Sequence, residues 1–301
     1  MAPLAQTLAL LAMTVATTAV EVVTLDMAQD SFDDQYRGCG PAMTAALPAL
    51  NRSEFQQNPL FAQAWVKARA KWQSRGSPVS PLSSPAQAIA LMAYTMDDNV
   101  YKEFNAAVRT AGRSRQEYRN NFHFKTLHFL LTQALVTLRQ AQNGQCHRVF
   151  RGVRDVRFQA RRGQRVRFGQ FTSTSPHKEI ALRFGTDTIF EVRTCHGVGI
   201  GQFSMYPGEE EVLIPPFETF EVTKFTPGQK KVQIELRSTG NFSNYNCEWL
   251  RGDILGTTWG DGDTQLGLGT RTHGGSLPRN SPHLGGLLLA TVAMAVAIGT
   301  L

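Results

Sequence analysis

At Gly144 the hydrophobic pattern of the chain changes period, and no single-class fold accommodates both halves. Between Cys39 and about Gln142 apolar residues recur at helical spacing, as in Phe55, Leu60, Phe61, Ala64 and Trp65, continuing to Trp72. Ser84-Pro85 offers an N-cap followed by proline at the first helical position, which predicts a helix through Ile89, Met92 and Ala93 with Tyr94 near its end. Two more amphipathic segments run from Val100 to Ala111 and from Phe122 to Ala141. The second carries Phe124, Leu127, Leu130, Leu131, Leu135 and Leu138 as a core-facing stripe. After Gly144 come short runs of β-branched and aromatic residues bounded by Gly and Pro. Strands are expected at 148–150, 165–168, 170–172, 188–194, 198–205, 211–214, 218–225 and 231–238, with a short helix from Lys178 to Phe184. Helices first and strands later, without a β-α-β rhythm, define an α+β fold: an N-terminal helical layer packed on a mainly antiparallel β core. No Gly-x-Gly-x-x-Gly opens a helix, so a Rossmann-type nucleotide site has no support.

The two ends read differently from the middle. Leu4 to Val20 is apolar and uncharged, and Thr17-Thr18-Ala19 resembles a cleavage site, so residues 1–19 are expected to be a secretory signal peptide. A single folded domain is expected over 24–252, with Asp26 to Arg37 as its opening loop, and a Gly- and Thr-rich stalk over 253–283. Residues 284–301 form an apolar tail behind Gly274-Gly275-Ser276 and a polar spacer, the pattern of a glycolipid (GPI) anchor signal; a shed tail and a membrane span are the alternatives. Cys39, Cys146, Cys195 and Cys247 fit an oxidising route and imply two disulfides, with three connectivities open. None of them has zinc-site spacing. Asn51 and Asn241 head N-glycan sequons. The net charge of +7 comes largely from the block between Arg148 and Arg167, where eight arginines accompany one aspartate. For a secreted chain this reads as a solvated strand and loop or a surface for polyanions; nucleic acid is a poor fit.

Three chemistry-bearing stretches follow one another. Val149-Phe150-Arg151-Gly152 ends a strand with an arginine and a glycine, and Phe171-Thr172-Ser173-Thr174-Ser175 is a run of hydroxyls at another strand end. The third is Tyr206-Pro207-Gly208-Glu209-Glu210-Glu211-Val212-Leu213-Ile214-Pro215-Pro216. Pro207-Gly208 predicts a type II turn with positive φ at Gly208, and a strand from about Glu209. Strand alternation then puts Glu209 and Glu211 on one side with Leu213, and Glu210 on the other with Val212 and Ile214. A solvated acidic face is the plain reading of three glutamates, as a surface ion pair is of the arginine. The ordered set points further.

From roughly Asp33 to Leu250 the sequence resembles the vertebrate arginine-specific mono-ADP-ribosyltransferases, related in fold to certain clostridial toxins and to cholera toxin. The family's Arg-Ser-Glu signature is matched by Arg151, by Ser173 of Ser-Thr-Ser and by Glu211 of Glu209-Glu210-Glu211. The resemblance implies an enzyme that moves ADP-ribose from NAD, or from NADP, to arginine side chains of extracellular or cell-surface proteins, with 24–252 as its catalytic domain and no metal. Arg151 would clamp the pyrophosphate, with Gly152 permitting close approach. Glu211 would stabilise the oxocarbenium character of the ribose, and Ser173 would hold both Glu211 and that ribose. Glu209 would bind the acceptor guanidinium and accept its proton. Tyr94, Gln170 and Ser204 would make further contacts to NAD, and Phe184 is either a wall for nicotinamide or core. The resemblance also implies the pairings Cys39–Cys247 and Cys146–Cys195, and NAD, arginine-bearing targets and an anchoring membrane as partners. The competing readings are an NAD glycohydrolase with water as acceptor and a catalytically silent surface binding module.

Overall fold

A computed structural model describes residues 20–255 apart from 229. The expected signal peptide and anchor tail lie outside the described residues, as does the stalk beyond 255.

The chain opens with a short strand, β1 (Glu21–Thr24), and then a helical layer: α1 (Gly40–Gln57), α2 (Pro59–Ser74), α3 (Pro85–Tyr94), α4 (Val100–Ala111), α5 (Arg115–Asn121) and α6 (Lys125–Ala141). Local chemistry starts several of these. Asn58 accepts from the Phe61 amide at 3.0 Å with Pro59 at the first position of α2, and Ser114 accepts from the Glu117 amide at 3.0 Å to begin α5. The Ser84-Pro85 start of α3 is as expected, and Tyr94 is its last residue. The leucine stripe of α6 is buried, but so are Lys125, Thr126, His128 and Thr132, so this helix is enclosed on more than one side.

The strands are β2 (His147–Val153), β3 (Val156–Gln159), β4 (Arg165–Val166) and β5 (Thr172–Thr174), then α7 (Lys178–Ala181) with a 3-10 turn over Leu182–Phe184. They are followed by β6 (Thr188–Thr194), β7 (Val198–Gly199), β8 (Val212–Ile214), β9 (Glu218–Thr226) and β10 (Val232–Asn241), and the described chain closes with α8 (Glu248–Leu255). A five-stranded sheet runs β2-β6-β10-β9-β4 and a three-stranded one β5-β8-β7; only the β6/β10 pair is parallel in these two. The fold is thus α+β, as read from the sequence.

The small sheet lies between two cores. Phe171 and Leu213 pack with the helices, whereas Val212 and Ile214 pack with Val149, Val192, Phe220 and Ile234 of the large sheet. Alternating side chains of β8 therefore serve opposite layers.

Several expectations shift. The strand expected over 198–205 ends at Gly199, because the chain turns into a 3-10 turn over Gly201–Phe203 that the Phe203 amide closes onto the Ile200 carbonyl at 2.8 Å. The strand expected at 170–172 starts at Thr172, and β1 and β3 were not foreseen. The opening loop over 26–37 holds no helix or strand, as expected, and Ser31, Phe32, Asp33 and Asp34 within it are fully buried. The block of arginines is mostly exposed, but Arg167 is buried against Asp33 at 2.6 Å and donates to the carbonyls of Met27, Ala28 and Phe242. The disulfides are Cys39–Cys247 and Cys146–Cys195, as the resemblance implied.

Candidate active site

The site forms where the two sheets part. β2 belongs to the large sheet, yet Phe150 exchanges backbone hydrogen bonds with Ser175 just past β5, at 2.7 and 3.0 Å. This bridge places Arg151, the next residue on β2, beside Ser173 on β5: Arg151 Nη1 donates to the Ser173 carbonyl at 2.8 Å. Among the described residues that is the only hydrogen bond of the guanidinium, which leaves Nε and Nη2 for a ligand. Arg151 is half-buried, and its desolvation pushes its pKa down, against the opposing pull of Tyr94 and Glu211.

Glu211 immediately precedes β8 and is 6% exposed. Burial pushes its carboxyl up to about 7, with the nearby Glu209 charge adding to the shift while the Ser173 hydroxyl and Arg151 oppose it. Its backbone is fixed by the Ile200 amide, which donates to the Glu211 carbonyl at 2.9 Å. Ser173, level with Leu213 in the β5/β8 register, faces both Glu211 and the Tyr94 hydroxyl. Tyr94 itself is committed to the fold: it donates to the Phe171 carbonyl at 3.0 Å and accepts from Asn105 at 3.1 Å. Burial raises its pKa to about 12.

The segment carrying Glu209 differs from the expected turn. Residues Pro207–Glu209 form a 3-10 turn, and the positive φ falls on Glu210, at +46°, not on Gly208. Glu209 is therefore half-buried on a turn and not the first residue of a strand. The kink at Glu210 breaks the expected alternation between Glu209 and Glu211, while Glu211 runs into β8 in phase with Leu213, toward the helical side, as expected. Side chains hold this turn in place. Ser175 Oγ donates to the Glu209 carbonyl at 2.9 Å, and Arg75, the C-cap of α2, donates to the carbonyls of Ser204 and Met205 at 2.5 and 2.9 Å. The Met205 amide donates to Thr95 Oγ1 at 2.9 Å. The Glu209 carboxyl is raised by burial, with the Arg183 charge opposing the shift and the Asp97 charge adding to it.

The remaining expected contacts scatter. Ser204 is fully buried, and its hydroxyl accepts from the Tyr206 amide at 3.1 Å. Gln170 is half-buried and accepts from Arg109 of α4. Phe184 is not core: it is 56% exposed on the 3-10 turn after α7. A Cβ at Gly152 would lie 2.2 Å from the Gly185 carbonyl and 2.4 Å from that of Ala181. The space beside Gly152 is thus filled by the α7 turn, and close packing of this chain on itself accounts for the glycine. Sequence reasoning missed Arg75 and Thr95, and gave Ser175 no role beyond the run of hydroxyls. Each holds the Glu209 turn from a separate segment, and no local spacing signals it.

A two-layer α+β fold with an arginine, a serine and a buried glutamate meeting at the split between two sheets describes a class, and the comparisons specify it. The family model for NAD:arginine ADP-ribosyltransferase matches residues 25–244. The chain belongs to this family. It is 54% identical over 249 residues to NAD(P)(+)--arginine ADP-ribosyltransferase 2 of Gallus gallus, covering 82% of this chain and 79% of that one. It is 49% identical to GPI-linked NAD(P)(+)--arginine ADP-ribosyltransferase 1 of Homo sapiens, covering 76% of this chain and 75% of that one. Among solved structures it is similar to the eukaryotic mono-ADP-ribosyltransferase ART2.2, with a TM-score of 0.64, 36% identity, and coverage of 75% of this chain and 98% of that one. A mutant of that protein has been solved in complex with NAD, and it matches with a TM-score of 0.64 at 37% identity.

Proposed function

We propose that the protein transfers ADP-ribose from NAD, or NADP, to arginine side chains of extracellular or cell-surface proteins and releases nicotinamide. The observation that carries this reading is the buried Glu211 carboxyl facing Ser173 and Arg151, with a second carboxyl, Glu209, half-exposed beside it. The free Nε and Nη2 of Arg151 suit the oxygens of a pyrophosphate. When the bond between ribose and nicotinamide breaks, its electron pair leaves with nicotinamide, which departs neutral, and positive charge develops on the ribose. Glu211, ionised and held by Ser173, stabilises that charge in a site with little water. Burial favours the neutral carboxyl, and a cationic nicotinamide ring beside it favours the ionised one, so NAD binding prepares Glu211 for its task.

The acceptor guanidinium is protonated and a poor nucleophile. Glu209 binds it from the solvent-facing side and takes one proton as the guanidine nitrogen forms its bond to the ribose carbon. Tyr94 contributes indirectly: its hydroxyl fixes the Phe171 carbonyl and the start of β5, and so the place of Ser173. Gln170 and Ser204 serve as further contacts for NAD. The secretory signal over 1–19 and the anchor signal over 284–301 belong to the same reading, which puts the enzyme on the outer cell surface by a glycolipid anchor or, with the tail shed, in secretion.

The test is incubation of the full chain from secreting cells with labelled NAD and a small guanidino acceptor, following adduct and free ADP-ribose together. Adduct as the main product supports the transferase; free ADP-ribose alone makes the protein an NAD glycohydrolase, and unchanged NAD makes it a binding module. Release from cells by a phosphatidylinositol-specific phospholipase tests the anchor, and its failure there removes that part of the reading.

A further inference from the structure

Across the outer face of the five-stranded sheet, five charged residues stand in one row. Arg148 on β2 lies opposite Arg193 on β6, Arg193 is level with Arg237 on β10, Arg237 lies opposite Glu221 on β9, and Glu221 opposite Arg165 on β4. The residues next to them, Val149, Val192, Leu236, Val222 and Val166, are in the core, so the row points outward, and all four arginines are exposed. With strands about 4.8 Å apart, the three adjacent arginines occupy about 10 Å and the whole row about 19 Å. Like charges directly opposite each other destabilise a sheet, so this register works against the fold unless something else matches the charge.

The face supplies only part of that match. Glu191 pairs with Arg148 at 2.6 Å, Glu221 with Arg237 at 2.8 Å, and Glu235 with Lys224 at 3.3 Å. Arg193 and Arg165 have no carboxylate within 4.0 Å among the described residues. Arg193 sits between the other two arginines on the floor of a shallow groove of about 340 Å³, with Glu191 and Glu235 along one side. The exposed Arg161 and Arg162 extend the positive field from the loop before β4, which the Gly163 amide ties to the Val222 carbonyl at 2.8 Å.

We infer that this sheet face binds an extended sulfated polysaccharide, with Arg193 and Arg165 as the cations left to pair with its sulfates. The occupant is a polyanion because cations outnumber acids there, Arg148, Arg193, Arg237, Arg165 and Lys224 standing against Glu191, Glu221 and Glu235, and because the two free cations stand three strands, about 14 Å, apart along the row. Nucleic acid is disfavoured because, among the described residues, the strands of this face offer one aromatic, Phe150, and it is covered by Arg148 and Lys178. A lipid surface is disfavoured because, among the described residues, no strand of this sheet carries a large exposed apolar side chain; Phe184 is on the turn after α7 that packs at Gly152. Two disulfides belong with an oxidising, extracellular setting, where sulfated chains are at hand. Arg151 is on the opposite side of β2 from Arg148, so an occupant of the outer face leaves the catalytic residues clear.

The test titrates the full chain with heparin, with chemically desulfated heparin and with phosphatidylserine vesicles. Heparin should bind and its desulfated form should not. Arg193→Gln and Arg165→Gln should each weaken heparin binding by roughly two- to fivefold, the range of an exposed ion pair, and together by about the product. Arg52→Gln, at an exposed arginine of α1, should leave it unchanged, and Arg193→Gln should melt no lower than the parent because it relieves like-charge contacts. Equal weakening by Arg52→Gln, or none by either row variant, would overturn the inference. Vesicles that bind as tightly as heparin through the same arginines would replace the polysaccharide by a lipid surface and overturn it too.

Discussion

The Glu211 carboxyl carries a stability cost that its removal should reveal. Its pKa is raised from 4.5 to about 7 in the folded chain, chiefly by burial. At 1.36 kcal/mol per pH unit, the neutral form is favoured over the ionised one by about 3 kcal/mol relative to the unfolded chain. The folded-state value lies above the unfolded one, so the native state keeps a proton that the unfolded chain gives up. Stability from this group is full below the unfolded pKa of 4.5, falls as pH rises, and is lost above about 7. Glu211→Gln is neutral throughout and escapes that loss. Urea unfolding followed by tryptophan fluorescence, without NAD, at about pH 5 and about pH 8.5 should show the variant gaining on the parent by about 2–3 kcal/mol over that interval. The same variant should lose both transfer and hydrolysis by at least about a hundredfold, the usual effect of removing a transition-state stabiliser. For the parent, kcat/KM should fall below about pH 7 as the free enzyme's carboxyl protonates. A stability gap that does not change with pH, or a variant that loses ground at higher pH, would refute the assignment of a strained, buried carboxyl.

Three perturbations test the surroundings of the site. Gly152→Ala should destabilise by about 1–3 kcal/mol or more, since its methyl would sit 2.2 Å from the Gly185 carbonyl; a melting temperature equal to the parent's would mean the α7 turn simply moves away. Asp33→Asn should cost about 3–5 kcal/mol by leaving buried Arg167 uncompensated, read as a lower urea midpoint, and a loss under about 1 kcal/mol would contradict a buried ion pair. Replacing Cys39 and Cys247 by serine opens a loop with a sequence separation of 208, for which loop-closure entropy gives about 5 kcal/mol. No change in the urea midpoint would contradict it.

How far the sequence was legible depends on how local the cause was. The α3 start is written in Ser84-Pro85, and the order Arg151, Ser173, Glu211 survives because each sits in or beside a strand that periodicity finds. The in-phase placement of Glu211 with Leu213 was also readable, since β8 alternates between two cores. Glu209 was misplaced because the positive φ falls on Glu210, held in a turn that is pinned by Ser175, Arg75 and Thr95 from three other segments. The same distance in sequence hides the burial of Asp33 and Asp34, whose carboxylates accept backbone amides at 244–248. Phe184 reads as core from its helical neighbours, but the helix ends at Ala181 and the following 3-10 turn swings the ring outward.

The division of labour between the two carboxylates is tested most directly by Glu209→Gln, assayed with labelled NAD and a guanidino acceptor while adduct and free ADP-ribose are quantified in the same reaction. Glu209 is half-buried and reaches Glu211 through its charge, with no hydrogen bond to Arg151, Ser173 or Glu211 among the described residues, so the expected result is loss of adduct with NAD cleavage retained. Equal loss of adduct and of free ADP-ribose would contradict separate roles for Glu209 and Glu211.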